Sequence, residues 1–320
     1  MDTFRLLAKS AVLLCLVVVV LGAWVRLTDA GLGCPDWPGC YGQIVVPQDP
    51  GAAAAWPERP LESGKAWREM IHRYAAATLG LLIVALAVMA WRGRARVGRP
   101  VALPTALLGL VIFQGMLGMW TVTLLLKPLV VTAHLLGGMT TLALLFWLAR
   151  QPTPLAQPAD ASLRKLAVIG LVALAVQIAL GAWVSTNYAA LACPDFPTCQ
   201  GRMWPTMDFT GGFDPWHGLG IDYEGGILHN AARVAIHVTH RLGAVVVAIV
   251  LGLLALRAWR HPGLSAAAGW VAAALAGQLA LGVIIVITSL PLPLATAHNG
   301  MAALLLLAIV NLNKVVRVEN

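Results

Sequence analysis

The chain has 320 residues, of which 59% are hydrophobic and only 11% are charged, and its mean hydropathy is +0.79. Soluble domains carry about 25% charged residues, so this composition excludes an ordinary soluble protein and predicts one that is surrounded mainly by membrane lipid. The formal net charge of +8 is not gathered in a soluble basic domain, which argues against nucleic-acid binding.

Eight apolar stretches are long enough to cross a membrane, which takes about 20 residues of helix. They are 6–27, 70–91, 101–124, 129–149, 165–186, 236–257, 266–289 and 294–313. The first is too long for a cleavable signal peptide and lacks a small-residue cleavage site. Backbone groups at membrane depth must be hydrogen-bonded within the segment, which predicts helices rather than open strands. The sequence therefore predicts an all-α membrane protein.

Basic residues are unevenly shared between the connections that join these spans. Thirteen of the 22 basic residues lie in the N-terminus and in the segments 92–100, 150–165, 257–262 and 314–320. Because cytoplasmic connections carry the excess of Lys and Arg, we expect both termini to be cytoplasmic. The two long loops, 28–69 and 187–235, are then on the opposite side.

The chain contains a tandem repeat of four spans. GAWVRLTDAGLGCPDWPGC at 22–40 returns as GAWVSTNYAALACPDFPTC at 181–199, and MIHRYAA at 70–76 returns as VTHRLGA at 238–244. An even number of spans per half predicts two four-helix bundles related by a pseudo-two-fold axis along the membrane normal. The predicted halves are 1–150 and 165–320, with a cytoplasmic linker at 151–164.

Small and polar residues recur at matching places in the repeat. Gln114-x-x-x-Gly118 returns as Gln278-x-x-x-Gly282, and Gly22 returns as Gly181. Small residues let helices approach closely in lipid, so we interpret the glycines as packing residues.

Four histidines within the spans stand at equivalent places of the two halves: His72, His134, His240 and His298. An ionisable residue in a membrane span indicates a functional site, and these four are predicted to stand about two to six residues inside their helices, or about 3–9 Å. Two helices that each present an imidazole are typical of a bis-histidine haem site, whereas closed zinc sites usually have four protein ligands. We predict haem iron between His72 and His134 and between His240 and His298. The alternatives are another metal and purely structural histidines.

Arginines directly follow one ligand of each pair. Arg73 comes after His72, and Arg241 after His240. A guanidinium can hold a carboxylate with two hydrogen bonds, so both are predicted to bind haem propionates. The alternative is that they anchor helix ends among lipid headgroups.

The two halves differ three residues before the first histidine of each half. Glu69 in the first half shares a helix face with His72, where a carboxylate can accept a proton or stabilise a positive charge. Its alternative role is that of an acid at a helix N-terminus. The second half has His237 at this place. The first half is therefore predicted to carry out chemistry, and the second to hold a permanent electron-transfer haem.

Two cysteine hairpins, Cys34/Cys40 and Cys193/Cys199, lie in the long loops, where an oxidising compartment would preserve disulfides. Five residues with two prolines separate the cysteines of each hairpin, which favours a bridge within each hairpin. Cross-pairing between the loops stays open. Each bridge is either a structural crosslink or a redox-active pair close to the haem.

The combination of eight spans, Glu69-x-x-His72, His134, His240, His298 and the two CPD-aromatic-P-x-C loops resembles the haem A synthase family. Residues 214–241 are similar to its proteobacterial, mitochondrial-type branch. The resemblance implies an oxidoreductase that converts the C8 methyl of haem O to a formyl group by successive hydroxylations, giving haem A for terminal oxidases. It implies substrate haem O at His72, His134 and Glu69, and a haem b cofactor at His240 and His298.

The resemblance also implies a setting for the protein. It places the chain in the bacterial inner membrane with the cysteine loops in the periplasm, and it implicates Cys34 and Cys40 in electron transfer or disulfide formation. Haem O synthase (protohaem farnesyltransferase) is the expected donor, alongside an unidentified electron acceptor, membrane lipid and a further copy of the chain in a homo-oligomer.

Two other interpretations compete with this one. A bis-histidine b-type cytochrome that passes electrons between quinone and an outer-face acceptor would use the same four histidines, but it leaves Glu69 without a role. A transporter with parallel repeats would need polar relays that the spans lack.

Overall fold

The structure is a computed structural model that describes residues 3–94, 101–151, 155 and 157–317. In chain order these residues form α1 (Thr3–Leu27), η1 (Pro50–Ala55, a 3-10 helix), α2 (Ser63–Arg92), α3 (Ala102–Thr123), α4 (Pro128–Ala149), α5 (Ala161–Thr186), α6 (Phe209–Gly212), α7 (Asn230–Trp259), α8 (Ser265–Ile287) and α9 (Leu292–Val315). Within this described part of the chain, eight helices are long and apolar enough to cross a membrane. The all-α membrane fold and the eight predicted spans are confirmed. The pseudo-two-fold relation between the halves stays a prediction.

The helices α2 and α7 begin earlier than predicted, at Ser63 rather than 70 and at Asn230 rather than 236. Their first turns are polar, so hydropathy alone detects them too late. Each has 30 residues and is about 45 Å long at 1.5 Å per residue, whereas the hydrocarbon core is about 30 Å thick. A polar turn can therefore continue the helix beyond the lipid.

The early helix starts change the predicted positions of two histidines. His72 follows the first residue of α2 by nine residues, and His240 follows that of α7 by ten, so the predicted spacing of two to six residues is wrong for both. His134 and His298 each follow the first residue of their helix by six residues, within the predicted range.

The chain divides into two compact units. Unit 1 comprises Met1–Leu145 and Asp214–Ile227, and unit 2 comprises Phe146–Phe213 and Leu228–Asn320. Unit 1 contains α1 to α3 and most of α4, and unit 2 contains α5 to α9. The assignment of one half to the substrate and the other to the cofactor stays a prediction.

Residues 214–227, here called the strap, belong to the loop before α7 but pack in unit 1. Arg59 donates hydrogen bonds to Asp222 and to Glu224, the second at 2.8 Å. The strap backbone is also attached, because the N–H of Tyr223 donates to the carbonyl of Leu125 at 3.1 Å. The Tyr223 side chain is only 1% exposed. The strap is therefore a built part of unit 1 rather than a free loop.

Candidate functional site

Each of the four predicted ligand histidines packs its imidazole against a glycine of a neighbouring helix. A Cβ built on the glycine would lie 3.1 Å from Cε1 for Gly22 and His72, 3.5 Å for Gly118 and His134, 3.1 Å for Gly181 and His240, and 3.3 Å for Gly282 and His298. Three of these four distances are shorter than ordinary van der Waals contact. The glycines therefore do more than bring helix backbones together, because each leaves the space that an imidazole occupies.

The histidines of each unit influence one another electrostatically, and their pairing on one iron stays a prediction. In unit 1, His72 and His134 lie within electrostatic range of each other, and in unit 2 the same holds for His240 and His298. Within the described residues there is no group of three or more His, Cys, Asp or Glu side chains that could hold a metal ion.

The polar atoms of these sites fit a haem iron. Nδ1 is buried and has no side-chain hydrogen-bond partner among the described residues in His72 and His134. The backbone of Val18 lies within hydrogen-bonding range of His72, and that of Gln114 within range of His134. An imidazole held at one nitrogen by a backbone carbonyl can offer the other nitrogen to iron. Two imidazoles from facing helices are an established axial ligand set for haem. The donor set and the glycine spaces are therefore compatible with one haem per unit.

Glutamine amides contact both imidazoles of unit 2. The amide nitrogen of Gln177 lies 3.1 Å from Nδ1 of His240 and donates to the backbone carbonyl of His240 at 2.9 Å. The amide nitrogen of Gln278 lies 3.2 Å from Nε2 of His298. In the sequence, Gln278 stands out only as part of the repeat, and Gln177 does not stand out. The signal available for both was their spacing, four residues before the glycine that contacts the ring.

Glu69 connects helix α2 to the first cysteine hairpin. Its Oε2 accepts a hydrogen bond from the backbone N–H of Cys34 at 2.8 Å, and its Oε1 forms an ion pair with Arg73 at 2.5 Å. The Glu69 residue is only 4% exposed. The carboxylate thus links the helix of His72 directly to a disulfide cysteine. Its predicted action on a bound porphyrin stays a prediction.

The residue at the matching place in unit 2 also binds a loop. Nδ1 of His237 lies 3.1 Å from the carbonyl oxygen of Ala189, which follows helix α5, and the side chain is buried. This position therefore joins helix to loop in both units, but only unit 1 places a carboxylate there.

Arg73 and Arg241 hold the cysteine hairpins by their backbone carbonyls. Arg73 donates to the carbonyls of Asp36 at 3.0 Å, Pro38 at 3.2 Å and Gly39, and Arg241 donates to those of Thr198 at 2.8 Å, Cys193 at 3.1 Å and Asp195 at 2.8 Å. The predicted propionate contacts stay predictions. The sequence does not reveal this hairpin role, because a backbone acceptor has no residue type to recognise, although an arginine and a cysteine hairpin occur together in both halves of the repeat.

Both disulfides form within their hairpins, Cys34 with Cys40 and Cys193 with Cys199. The predicted pairing is therefore confirmed, and cross-pairing between the loops is excluded. In the second hairpin, Thr198 and the N–H groups of Gly201 and Gln200 donate to Asp195 and lower the pKa of its carboxyl group. This network closes the hairpin around the disulfide.

Eight long apolar helices define the class of this protein: it is a multi-pass membrane protein, and each unit packs two histidine rings between its helices. The family model for cytochrome oxidase assembly protein (COX15-CtaA) matches residues 5–310. The chain belongs to this family.

Individual relatives extend the match over nearly the full length. A heme A synthase of Shewanella oneidensis is 44% identical over 96% of this chain and 94% of its own length. Heme A synthases of Symbiobacterium thermophilum and Bradyrhizobium diazoefficiens are 30% and 29% identical over 92% and 95% of this chain, and over 89% and 88% of their own lengths.

Proposed function

We propose that this chain is a haem A synthase, a membrane oxidoreductase that converts the C8 methyl of haem O to a formyl group by successive hydroxylations. The observation that carries the proposal is the 44% identity to a heme A synthase over 96% of the chain. The two pairs of glycine-packed imidazoles provide the sites that such an activity needs.

Substrate haem O binds between His72 and His134, and a haem b cofactor binds between His240 and His298. The difference between the units supports this division. Unit 1 has a buried carboxylate, Glu69, beside the ligand helix, whereas both imidazoles of unit 2 are held by amides. A site for chemistry needs a proton acceptor, while a site for electron transfer needs ligands that do not move.

The protein residues have distinct roles in this proposal. Haem supplies one-electron chemistry when bound. His72 and His134 orient haem O, and Glu69 accepts protons from its C8 methyl group. Because Oε2 of Glu69 is bonded to the Cys34 N–H, the first hairpin fixes where that carboxylate stands.

Arg241 is the stronger candidate for a propionate contact. Its Nε is buried without a hydrogen-bond partner among the described residues, although its other nitrogens bind the hairpin. Arg73, by contrast, already bonds to Glu69 as well as to the hairpin. A propionate at Arg241 would satisfy the remaining donor.

The partners of the protein and its orientation in the membrane follow from the same activity. Haem O synthase delivers the substrate, and the cysteine loops face the periplasm, where a separate acceptor removes electrons. Arg73 and Arg241 lie at the hairpin end of their units, and this end is therefore the periplasmic one.

Co-expression with haem O synthase tests the proposal, with chromatography of the haems extracted from the purified protein. We expect haem B together with haem O and haem A. Haem B alone would favour the b-type cytochrome, and absence of any haem would reject both.

A further inference from the structure

A position on the helix facing each imidazole distinguishes the two units. Four residues before the glycine that contacts the ring stand Val18, Gln114, Gln177 and Gln278. In unit 2 both glutamines reach an imidazole nitrogen. In unit 1, Nδ1 of both imidazoles has no side-chain partner within the described part of the chain, and the amide nitrogen of Gln114 has no partner there.

Gln177 can reach His240 because residue 243 is glycine. A Cβ built on Gly243 would lie 2.2 Å from Oε1 of Gln177, which is closer than any real contact. The amide therefore passes through the space of the missing side chain and holds both the ring and the backbone carbonyl of His240. With iron on Nε2 the ring proton lies on Nδ1, where Oε1 of the turned amide accepts it in place of the bond from the amide nitrogen to the carbonyl.

The repeat replaces both members of this pair in unit 1. The position of Gln177 is taken by Val18, and that of Gly243, three residues after the histidine, by Ala75. The valine side chain has no group that hydrogen-bonds to an imidazole, so Val18 can reach His72 only through its backbone, and Ala75 fills space that an amide would need. The two changes occur together, as expected for residues in direct contact.

His134, the other histidine of unit 1, also lacks an amide contact, because Gln114 packs elsewhere. Gln114 lies along Gly137, where a Cβ would be 1.7 Å from its Nε2. In unit 2 the position of Gly137 is taken by Met301. The methyl carbon of Met301 packs beside Gly277, 3.2 Å from a Cβ built on that glycine. With this place occupied by methionine, Gln278 turns to His298.

We propose that Gln177 and Gly243 make His240 a fixed ligand, and that Val18 and Ala75 leave His72 as the ligand that releases haem from unit 1. This inference rests on the proposed function, since it assumes haem between each pair of histidines. It accounts for one site that retains its cofactor and one that exchanges substrate for product. Gln177 is a positioning residue, because it acts through His240.

The experiment exchanges the two pairs in the full chain co-expressed with haem O synthase. One double variant carries Gln177→Val and Gly243→Ala, and the reverse variant carries Val18→Gln and Ala75→Gly. The rate of haem loss to excess apomyoglobin is measured for each haem type, together with carbon monoxide binding to the reduced protein. Carbon monoxide reports a ligand that dissociates, because it requires a vacant axial position. Val176→Ala, on α5 but at an exposed side chain, is the matched control.

Residues that orient a metal ligand typically change affinity by about tenfold or more. We therefore expect the Gln177→Val, Gly243→Ala variant to lose haem B about tenfold faster and to bind carbon monoxide at that haem. The reverse variant should lose haem from unit 1 about tenfold more slowly and bind less carbon monoxide there, and the control should behave as wild type.

The reverse variant keeps the test decisive if the first variant folds poorly, since misfolding does not slow haem loss. A wild-type protein without haem would overturn the proposed function and this inference together. A protein that holds both haems, but whose loss rates and carbon monoxide binding are unchanged by either exchange, would overturn this inference alone.

Discussion

Glu69 is the residue whose replacement separates structure from chemistry most cleanly. In Glu69→Ala, the buried N–H of Cys34 loses its acceptor and Arg73 loses its ion-pair partner. Breaking a buried ion pair on one side costs about 3–5 kcal/mol, so this variant should loosen the first hairpin as well as stop turnover. In Glu69→Gln, the side-chain oxygen still accepts from Cys34, and the loss of stability should be only about 1–2 kcal/mol.

Both variants remove the proton acceptor, which typically contributes 100-fold or more to rate. We expect Glu69→Gln to keep wild-type haem B content and an intact Cys34–Cys40 disulfide while haem A formation falls by about 100-fold or more. Glu69→Ala should in addition show faster reduction of that disulfide by a phosphine, followed by mass spectrometry of alkylated cysteines. Glu62→Gln, a substitution at an exposed ion pair with Lys65, is the control. Normal haem A production by Glu69→Gln would refute the catalytic role.

Three further predictions concern features that hold the sites in place. Arg59→Ala removes both ion pairs of the strap, so limited proteolysis should cut residues 214–227 at least several-fold faster; an unchanged rate would mean that other contacts hold the strap. Gly181→Ala places a methyl group 3.1 Å from the His240 ring and should lower the haem B content per protein, whereas Gly80→Ala, where nothing lies within 4 Å, should not; equal haem content in both would contradict the packing argument. Arg241→Ala removes three hydrogen bonds to the second hairpin and should speed phosphine reduction of its disulfide about tenfold; wild-type kinetics would show that the guanidinium does not protect it.

Local sequence signals predicted the parts of the fold that depend on local physics. Long apolar stretches must become helices in lipid, and all eight did. Two cysteines separated by a short proline-containing loop are held close together, and both pairs formed disulfides. The helix starts at Ser63 and Asn230 were missed because hydropathy reports where the lipid begins and not where the helix begins.

Contacts between distant segments could not be predicted from the same signals. The recurrence of the histidines predicted two pairs, but nothing in the sequence indicated that Gly22 or Gly181 would face an imidazole. The strap was missed because the packing partner of a loop is set by tertiary structure, and Arg59 lies 163 residues from Asp222. The hairpin role of Arg241 depends on backbone carbonyls, which every residue offers.

The haem content of two histidine variants tests the central claim that each unit holds its own haem between two imidazoles. His72→Ala and His240→Ala are purified after co-expression with haem O synthase, and their extracted haems are quantified per protein. We expect His72→Ala to keep a full complement of haem B and to make no haem A, and His240→Ala to lose haem B. Retention of haem B in His240→Ala together with its loss in His72→Ala would reverse the assignment of the units, and equal loss in both variants would contradict two independent sites.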